Sequence, residues 1–168
     1  LTGVAHAFTS WSREMFLIAC IFMFLHWLGD ALDGALARYR SMSSKTGFYM
    51  DHMLDAVTVS SIFVGLYLSS YTHTAWPLIF ALLYLVLEIN VMAQAILLGS
   101  FKISASILGP AEAQFLLIAG NIAAYLLAPM GILFWDIGSI FGVSVLSLAF
   151  IYSFIQTITR TMKLDRTS

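Results

Sequence analysis

Charged residues are scarce in this sequence. Asp, Glu, Lys and Arg make up 10% of its 168 residues, whereas hydrophobic residues make up 60%. A soluble domain averages about 25% charged and about 45–50% apolar residues, so too little polar surface remains here to cover a water-soluble globule. The single cysteine, Cys20, excludes an internal disulfide, and the net charge of −1 gives no sign of nucleic-acid binding. The composition therefore predicts a protein whose solvent is the lipid bilayer.

Five long apolar segments follow one another, at about residues 14–36, 48–70, 76–98, 112–128 and 132–158. A membrane-spanning helix needs roughly 20 mainly apolar residues, and backbone polar groups in hydrocarbon must find partners within their own segment. We therefore predict an all-α membrane protein with one domain over residues 1–168. Residues 1–10 are too short to span, so we expect a bundle of six transmembrane helices whose first helix survives only as a remnant at a truncated N-terminus.

The distribution of Lys and Arg predicts the orientation of the bundle, because cytoplasmic loops carry an excess of these residues. Seven of the eight would share one side of the membrane: Arg38, Arg40, Lys45, Lys102, Arg160, Lys163 and Arg166. Only Arg13 would lie on the other side. The loop after the first long segment is therefore expected to face the cytoplasm, in a bacterial inner membrane or an endoplasmic reticulum.

Four aspartates lie within or against the predicted spans, where a carboxylate is costly and usually marks a polar cavity or a metal site. Asp30 and Asp33 are spaced i, i+3, and Asp51 and Asp55 are spaced i, i+4, so each pair projects from one helical face. A basic loop between the pairs folds the second helix back beside the first. We expect all four carboxylates to converge near the cytoplasmic end.

Four carboxylates in a low-dielectric site would repel one another unless a cation relieved the repulsion. Oxygen-only ligands suit Mg²⁺, Mn²⁺ or Ca²⁺, and the lack of cysteine in the cluster argues against zinc. Such a site suits a pyrophosphate substrate, because metal ions neutralise the charge that develops on phosphate oxygens. One carboxylate could serve as a general base.

The stretch from Asp30 to Asp55 resembles the signature of the CDP-alcohol phosphotransferase family, which is D-x2-D-G-x2-A-R, a spacer of about eight residues, and G-x3-D-x3-D. The signature is filled without departure by Asp30, Asp33, Gly34, Ala37, Arg38, Gly47, Asp51 and Asp55. Eight fixed positions at about one in twenty each give a chance match of roughly one in 10^10. The resemblance implies six membrane helices, with the signature on the second and third.

The resemblance also implies a role for each signature position. The four aspartates are implied to bind two divalent cations, Mg²⁺ or Mn²⁺, and Asp55 is in addition the implied general base. Gly34, Ala37, Arg38 and Gly47 are implied to shape the pocket for the CDP moiety. The implied reaction is in-line attack of an acceptor hydroxyl on the β-phosphorus of a CDP-linked alcohol, with release of CMP, in phospholipid biosynthesis. Family members are commonly homodimers among membrane lipids.

Two branches of the family differ in which substrate carries CDP. His52 directly follows the third aspartate, and Glu112 precedes a span, which is similar to the choline and ethanolamine enzymes. We therefore expect CDP-ethanolamine or CDP-choline as donor and diacylglycerol as acceptor. The alternative is a phosphatidyltransferase that joins CDP-diacylglycerol to a soluble alcohol, and the chain is short for the eukaryotic choline and ethanolamine enzymes.

Three further polar residues are candidates for contact with the substrate headgroup, namely Glu88, Glu112 and His52. An anionic Glu suits a cationic ammonium group. Each also has a structural interpretation: Glu88 as an interhelical hydrogen-bonding residue, Glu112 as a first-turn carboxylate and His52 as a helix contact. His26 is better interpreted as a core histidine than as a ligand.

Two other functions compete with the enzyme. Intramembrane carboxylates also occur in ion-coupled transporters, which would be expected to show internal repeats and broken helices. The sequence shows neither. A catalytically silent family member is the other alternative, and the intact signature argues against it.

Overall fold

The computed structural model describes residues 1–39, 45–98, 110–127 and 134–165. Within these stretches, the side chains of residues 37, 38, 45, 48, 51 and 110–113 lie outside the description. The regular structure of the described residues is entirely helical. The elements are α1 (Thr2–Ala7), a 3₁₀ turn (Phe8–Ser10), α2 (Met15–Tyr39), α3 (Lys45–Tyr67), α4 (Trp76–Leu98), α5 (Pro110–Leu127) and α6 (Phe134–Asp165). The all-α prediction is confirmed.

The helix bounds follow the predicted apolar segments, with α4 matching its segment at both ends. The largest difference is at α6, which was predicted to end at 158 and instead continues to Asp165. The extra turns carry Arg160 and Lys163, so hydropathy alone does not detect them. A helix can continue into water after its apolar part ends, because its backbone hydrogen bonds do not depend on lipid.

Three described helical stretches are long and apolar enough to cross a membrane: Met15–Leu36, Trp76–Leu98 and Phe134–Asp165. The apolar stretches of the other two long helices are shorter, at His52–Tyr67 and Gln114–Leu127. Both of these stretches begin directly after residues whose side chains lie outside the description. Large apolar side chains in mid-helix point outward, and Ile89 and Leu148 are 67% and 69% exposed. Such a surface suits lipid, and the chain is an integral membrane protein.

The buried core lies at one end of the bundle. Phe16 and Met23 near the start of α2 pack with Phe63 and Leu66 near the end of α3, and with Trp135 near the start of α6. In the predicted topology this is the end away from the cytoplasm. The aspartate signature lies at the opposite end, beyond this tightly packed region.

The short helix α1 packs closely against the second half of α3. A Cβ atom on Gly65 would overlap the carbonyl oxygen of Gly3, and one on Gly3 would overlap the carbonyl oxygen of Ser61. Ser61 and Gly65 are four residues apart, and small residues at this spacing allow two helix backbones to approach closely in membrane proteins. The segment predicted as a remnant of the first helix thus packs against both α2 and α3.

The loop between α3 and α4 is held by a carboxylate at the start of α6. Asp136 is buried and accepts hydrogen bonds from the backbone N–H groups of His73 and Thr74, at 3.0 and 3.2 Å. The Thr74 hydroxyl also donates to Asp136, at 2.6 Å. These bonds satisfy the buried charge and tie the loop to the bundle.

Two amide side chains on α4 hold this helix to α6. Asn90 Nδ2 and Gln94 Nε2 both donate to the hydroxyl oxygen of Ser153, at 2.8 and 2.6 Å. Polar side chains commonly link membrane helices in this way. Since positions 90 and 94 share one helical face, this face of α4 is assigned to helix packing.

Candidate active site

The first pair of signature aspartates lies near the end of α2, and both side chains are exposed. Asp30 and Asp33 are one turn apart on this helix. A Cβ atom on the neighbouring Gly29 would meet no heavy atom within 4 Å. Among the described residues, this part of α2 is therefore less closely packed than the core around Phe16 and Met23.

Asp55 lies on α3, eight residues after the signature glycine Gly47. Its side chain is half-buried among charged and ionisable groups from three helices. Asp30 and His26 on α2, Glu88 on α4, and His52 on α3 itself all interact electrostatically with its carboxylate. The structure therefore brings the first and last signature aspartates into one electrostatic environment. It also adds Glu88, which lies far from the signature in sequence.

The packing of α3 on α4 explains why Glu88 faces this site. Phe63 and Phe80 stack with their ring centroids 3.9 Å apart, which fixes the register of the two antiparallel helices. Asp55 lies eight residues before Phe63, and Glu88 lies eight residues after Phe80. Because positions i and i+8 share a helical face, both carboxylates lie at the α3–α4 interface at the same depth.

Tyr84 lies one turn before Glu88 on the same face of α4. Its hydroxyl lies close enough to interact with the charges of Glu88 and Asp55. Sequence analysis did not single out Tyr84. The spacing could have indicated it, because Tyr84 lies four residues before an intramembrane Glu. In a helix, this i, i+4 spacing places the Tyr hydroxyl beside the carboxylate.

His26 links α2 to two neighbouring helices. Its Nε2 atom lies 3.4 Å from the Thr58 hydroxyl on α3, and its Nδ1 atom lies 3.4 Å from Gln114 Nε2 on α5. Gln114 also donates to the Met23 carbonyl oxygen at 2.8 Å. These contacts agree with the interpretation of His26 as a histidine with hydrogen-bond partners. His26 lies one turn before Asp30 on α2, as the spacing in the sequence predicts.

Several predicted site residues lie outside the described part of the chain, at least in their side chains. These are Ala37, Arg38, Asp51 and Glu112, together with the loop cations Arg40, Lys45 and Lys102. Gly34 lies one turn after Asp30 in α2, and Gly47 lies in the first turn of α3, both partly exposed. Asp55 interacts electrostatically with Asp30, and the convergence of all four carboxylates stays a prediction.

The donor set of this region fits a hard divalent cation. Asp30, Asp33 and Asp55 offer only oxygen ligands, which Mg²⁺ and Mn²⁺ prefer, and the repulsion between Asp30 and Asp55 is of the kind that a cation relieves. Among the described side chains, no group of three or more His, Cys, Asp and Glu lies close enough to hold a metal ion. The side chain of Asp51, the third aspartate of the signature, lies outside the described part of the chain.

A profile of the CDP-alcohol phosphatidyltransferase family matches residues 1–159. The chain belongs to this family. Comparison with curated proteins and with solved structures gave no match. The matched range contains every helix from α1 to α5 and most of α6, so the resemblance carried by the signature extends over nearly the whole chain.

Family membership identifies the protein as a transferase of phosphate-containing groups in phospholipid biosynthesis, acting with a CDP-alcohol donor and an alcohol or lipid acceptor. Enzymes of this family generally depend on a divalent metal. The match also favours the enzyme over the ion-coupled transporter, which was the alternative that clustered carboxylates alone left open.

Proposed function

We propose that this protein transfers a phospho-alcohol group from a CDP-linked donor to an acceptor hydroxyl, with Asp55 as general base. The observation that carries the proposal is the position of Asp55. It is half-buried on α3 and interacts with Asp30 of the first signature half, at the end of the bundle away from the buried core. A general base must lie within hydrogen-bond reach of the hydroxyl that it deprotonates, and a position beside the other signature aspartates would bring Asp55 near a substrate bound there.

The metal site in this proposal consists of Asp30, Asp33, Asp51 and Asp55, with two Mg²⁺ or Mn²⁺ ions. When bound, these ions would neutralise the charge of the pyrophosphate and of the departing CMP. Gly34, Ala37, Arg38 and Gly47 would form the pocket for the CDP moiety. The absence of a side chain at the two glycines allows the nucleotide to approach the backbone closely.

The proposed chemical step is a single in-line displacement. Asp55 accepts the proton of the acceptor hydroxyl, and the hydroxyl oxygen forms a new bond to the β-phosphorus of the donor. The bond between that phosphorus and the bridging oxygen of the pyrophosphate breaks, and its electron pair leaves with CMP. The products are CMP and a phosphodiester that joins the two alcohols.

For the substrates, we propose CDP-ethanolamine or CDP-choline as donor and diacylglycerol as acceptor. The structure supports a cationic headgroup through Glu88, which adds a carboxylate beside Asp55. Glu112 and His52 remain further candidates for headgroup contact. Transfer from CDP-diacylglycerol to a soluble alcohol is the alternative, and the same site would perform it with the roles of lipid and alcohol exchanged.

We further propose that residues 1–168 form one domain that crosses the membrane several times, with the aspartates facing the cytoplasm of a bacterial cell or of a cell with an endoplasmic reticulum. The arrangement is proposed to be a homodimer surrounded by lipid. The outward-facing side chains of α4 and α6 are apolar enough for either lipid or a second copy to cover them.

The test is CMP release from protein purified in lipid nanodiscs, supplied with Mg²⁺ and each CDP-linked donor in turn. We expect release to require both metal and acceptor, to stop with a chelator and to return with Mg²⁺ or Mn²⁺. Asp55→Asn should lower kcat by about 10²–10⁴-fold, the usual contribution of a general base. Asp165→Asn, which removes a carboxylate from the end of α6, should keep the wild-type rate. Metal-independent release, or a normal rate in Asp55→Asn, would contradict the mechanism.

A further inference from the structure

A chain of polar contacts crosses the bundle one turn from the first and last signature aspartates, on the side of the buried core. His26 lies four residues before Asp30 on α2, and Thr58 lies three residues after Asp55 on α3. Both spacings correspond to about one helical turn. The His26 Nε2 atom lies 3.4 Å from the Thr58 hydroxyl oxygen, so this contact joins α2 to α3 next to the two aspartates.

The side chain of Gln114 on α5 completes this chain, and its contacts determine its orientation. Its Nε2 atom donates to the backbone carbonyl oxygen of Met23 at 2.8 Å, and the same atom lies 3.4 Å from His26 Nδ1. A carbonyl oxygen only accepts hydrogen bonds, so the amino group of the Gln114 amide, and not its oxygen, faces α2. This amino group has a second hydrogen, which is available to His26 Nδ1.

Packing on either side of Gln114 holds this face of α5 against α2. The rings of Phe115 and Trp27 have their centroids 5.1 Å apart. Further along α5, Asn121 is 1% exposed and donates to the thioether sulfur of Met23 at 3.3 Å. Gln114 and Asn121 are seven residues apart, and positions i and i+7 share a helical face. The amide of Gln114 is therefore held on the α2 side of α5.

These contacts determine which ring nitrogen of His26 carries the proton. A neutral imidazole has one N–H group and one nitrogen that accepts. Nδ1 faces the amino group of Gln114 and therefore accepts, so the proton belongs on Nε2, which donates to the Thr58 hydroxyl oxygen. Both nitrogens are then in use. The ring has no lone pair left for a metal ion or for the proton of an acceptor hydroxyl.

We infer that Gln114 holds His26 as a neutral imidazole protonated on Nε2, and that this imidazole fixes the spacing of α2 and α3 at the active site. The inference rests on the proposed function and deepens it. Gln114 is a positioning residue, because it acts through His26. A neutral His26 leaves the charges of Asp30 and Asp55 to the cations, and leaves Asp55 as the base.

The first test is the ¹⁵N NMR spectrum of histidine-labelled protein in lipid nanodiscs at neutral pH. The His26 signals are those that disappear in His26→Gln. We expect the wild type to show a protonated Nε2 and an unprotonated Nδ1. In Gln114→Glu the new carboxylate only accepts, so a proton should appear on Nδ1. Gln94→Glu is the matched control, because its amide on α4 donates to Ser153 instead, and it should leave the His26 signals unchanged.

The second test is CMP release as a function of Mg²⁺ concentration. Gln114→Met removes the donor without adding charge. It should lower the rate about two- to tenfold and raise the Mg²⁺ concentration needed for half-maximal rate, as suits the loss of one hydrogen bond. Combined with His26→Leu it should lower the rate no further, because both changes remove the same contact. Thr58→Val should resemble Gln114→Met, and Thr58→Ser, which keeps the hydroxyl, should lose less.

A proton on Nδ1 in the wild type would overturn the inference without any variant. An unchanged His26 spectrum in Gln114→Glu, or additive losses in the double variant, would assign Gln114 to helix packing alone and overturn it as well. The expected spectrum in a protein that releases CMP from no CDP-linked donor would instead refute the proposed function, and with it the part that this contact plays in the reaction.

Discussion

At the scale of single residues, the site combines carboxylates that differ in their surroundings. Asp30 and Asp33 are exposed near the end of α2, whereas Asp55 is half-buried against α4. An exposed carboxylate is readily available to a cation. The proposal gives Asp30 and Asp33 this role alone, and gives Asp55 the additional role of general base.

His26 provides a prediction at the same scale. Its two ring nitrogens contact Thr58 on α3 and Gln114 on α5, one turn from Asp30. We expect His26→Leu to remove both contacts, to lower the rate of CMP release by about two- to tenfold and to raise the Mg²⁺ concentration needed for half-maximal rate. His26→Gln can still reach one partner and should lose less.

The measurement for His26 is CMP release as a function of Mg²⁺ concentration, with thermal unfolding recorded for each variant. A drop in unfolding midpoint with an unchanged Mg²⁺ dependence would assign His26 to helix packing alone. A wild-type profile for His26→Leu in both measurements would show that neither contact matters.

At the scale of the helices, close packing depends on small residues at particular positions. The α1–α3 contact brings the backbones of Gly3 and Gly65 together, so that neither position has room for a Cβ atom. Gly29 on α2 is also helical, but its surroundings are open. The two kinds of glycine look alike in the sequence and differ only in what lies next to them.

This difference gives a matched pair of variants. We expect Gly65→Ala to destabilise the protein by about 1–3 kcal/mol, the usual effect of overfilling a packed site. Gly29→Ala should leave stability unchanged or raise it by up to about 1 kcal/mol, because alanine favours helix over glycine. Thermal unfolding of both variants in detergent measures the difference. Equal unfolding midpoints would contradict the close α1–α3 contact.

At the scale of the whole molecule, the buried core of the described residues lies at one end of the bundle and the described aspartates lie at the other. The core residues around Phe63 lie at the end where α2, α4 and α6 begin, and the aspartates lie where α2 ends. At the packed end, α1 contacts both α2 and α3. This arrangement holds the helices together at the end away from the aspartates.

The proposed topology predicts which residues are reachable from each side of the membrane. In a Cys20→Ala background, Ser70→Cys and Met162→Cys lie on opposite sides, because α4, α5 and α6 run between them. A membrane-impermeant maleimide should label Met162→Cys only from the cytoplasmic side and Ser70→Cys only from the other. Labelling of both from one side would refute the odd number of crossings.

The sequence by itself determined the membrane character, the helical class and the position of the signature. In lipid, the N–H and C=O groups of the backbone must hydrogen-bond within their own segment, so a long apolar run forms a helix. The helix bounds therefore agree with the predicted segments within a few residues in most cases. The signature could also be recognised from the sequence, because the spacing of its residues follows the local helical geometry of α2 and α3. Asp30 and Asp55 were therefore predicted as neighbours, and they interact.

Only the tertiary structure decided which polar residues of the later helices face the site. Glu88 and Asn90 are two residues apart on an apolar helix, and the sequence offered the same two interpretations for Glu88 as for any intramembrane polar residue. The stacking of Phe63 on Phe80 fixes how α4 turns against α3, and so directs Glu88 and Tyr84 to Asp55 and Asn90 to Ser153. The physical reason is that helix rotation and register depend on contacts between distant segments, which local composition does not encode.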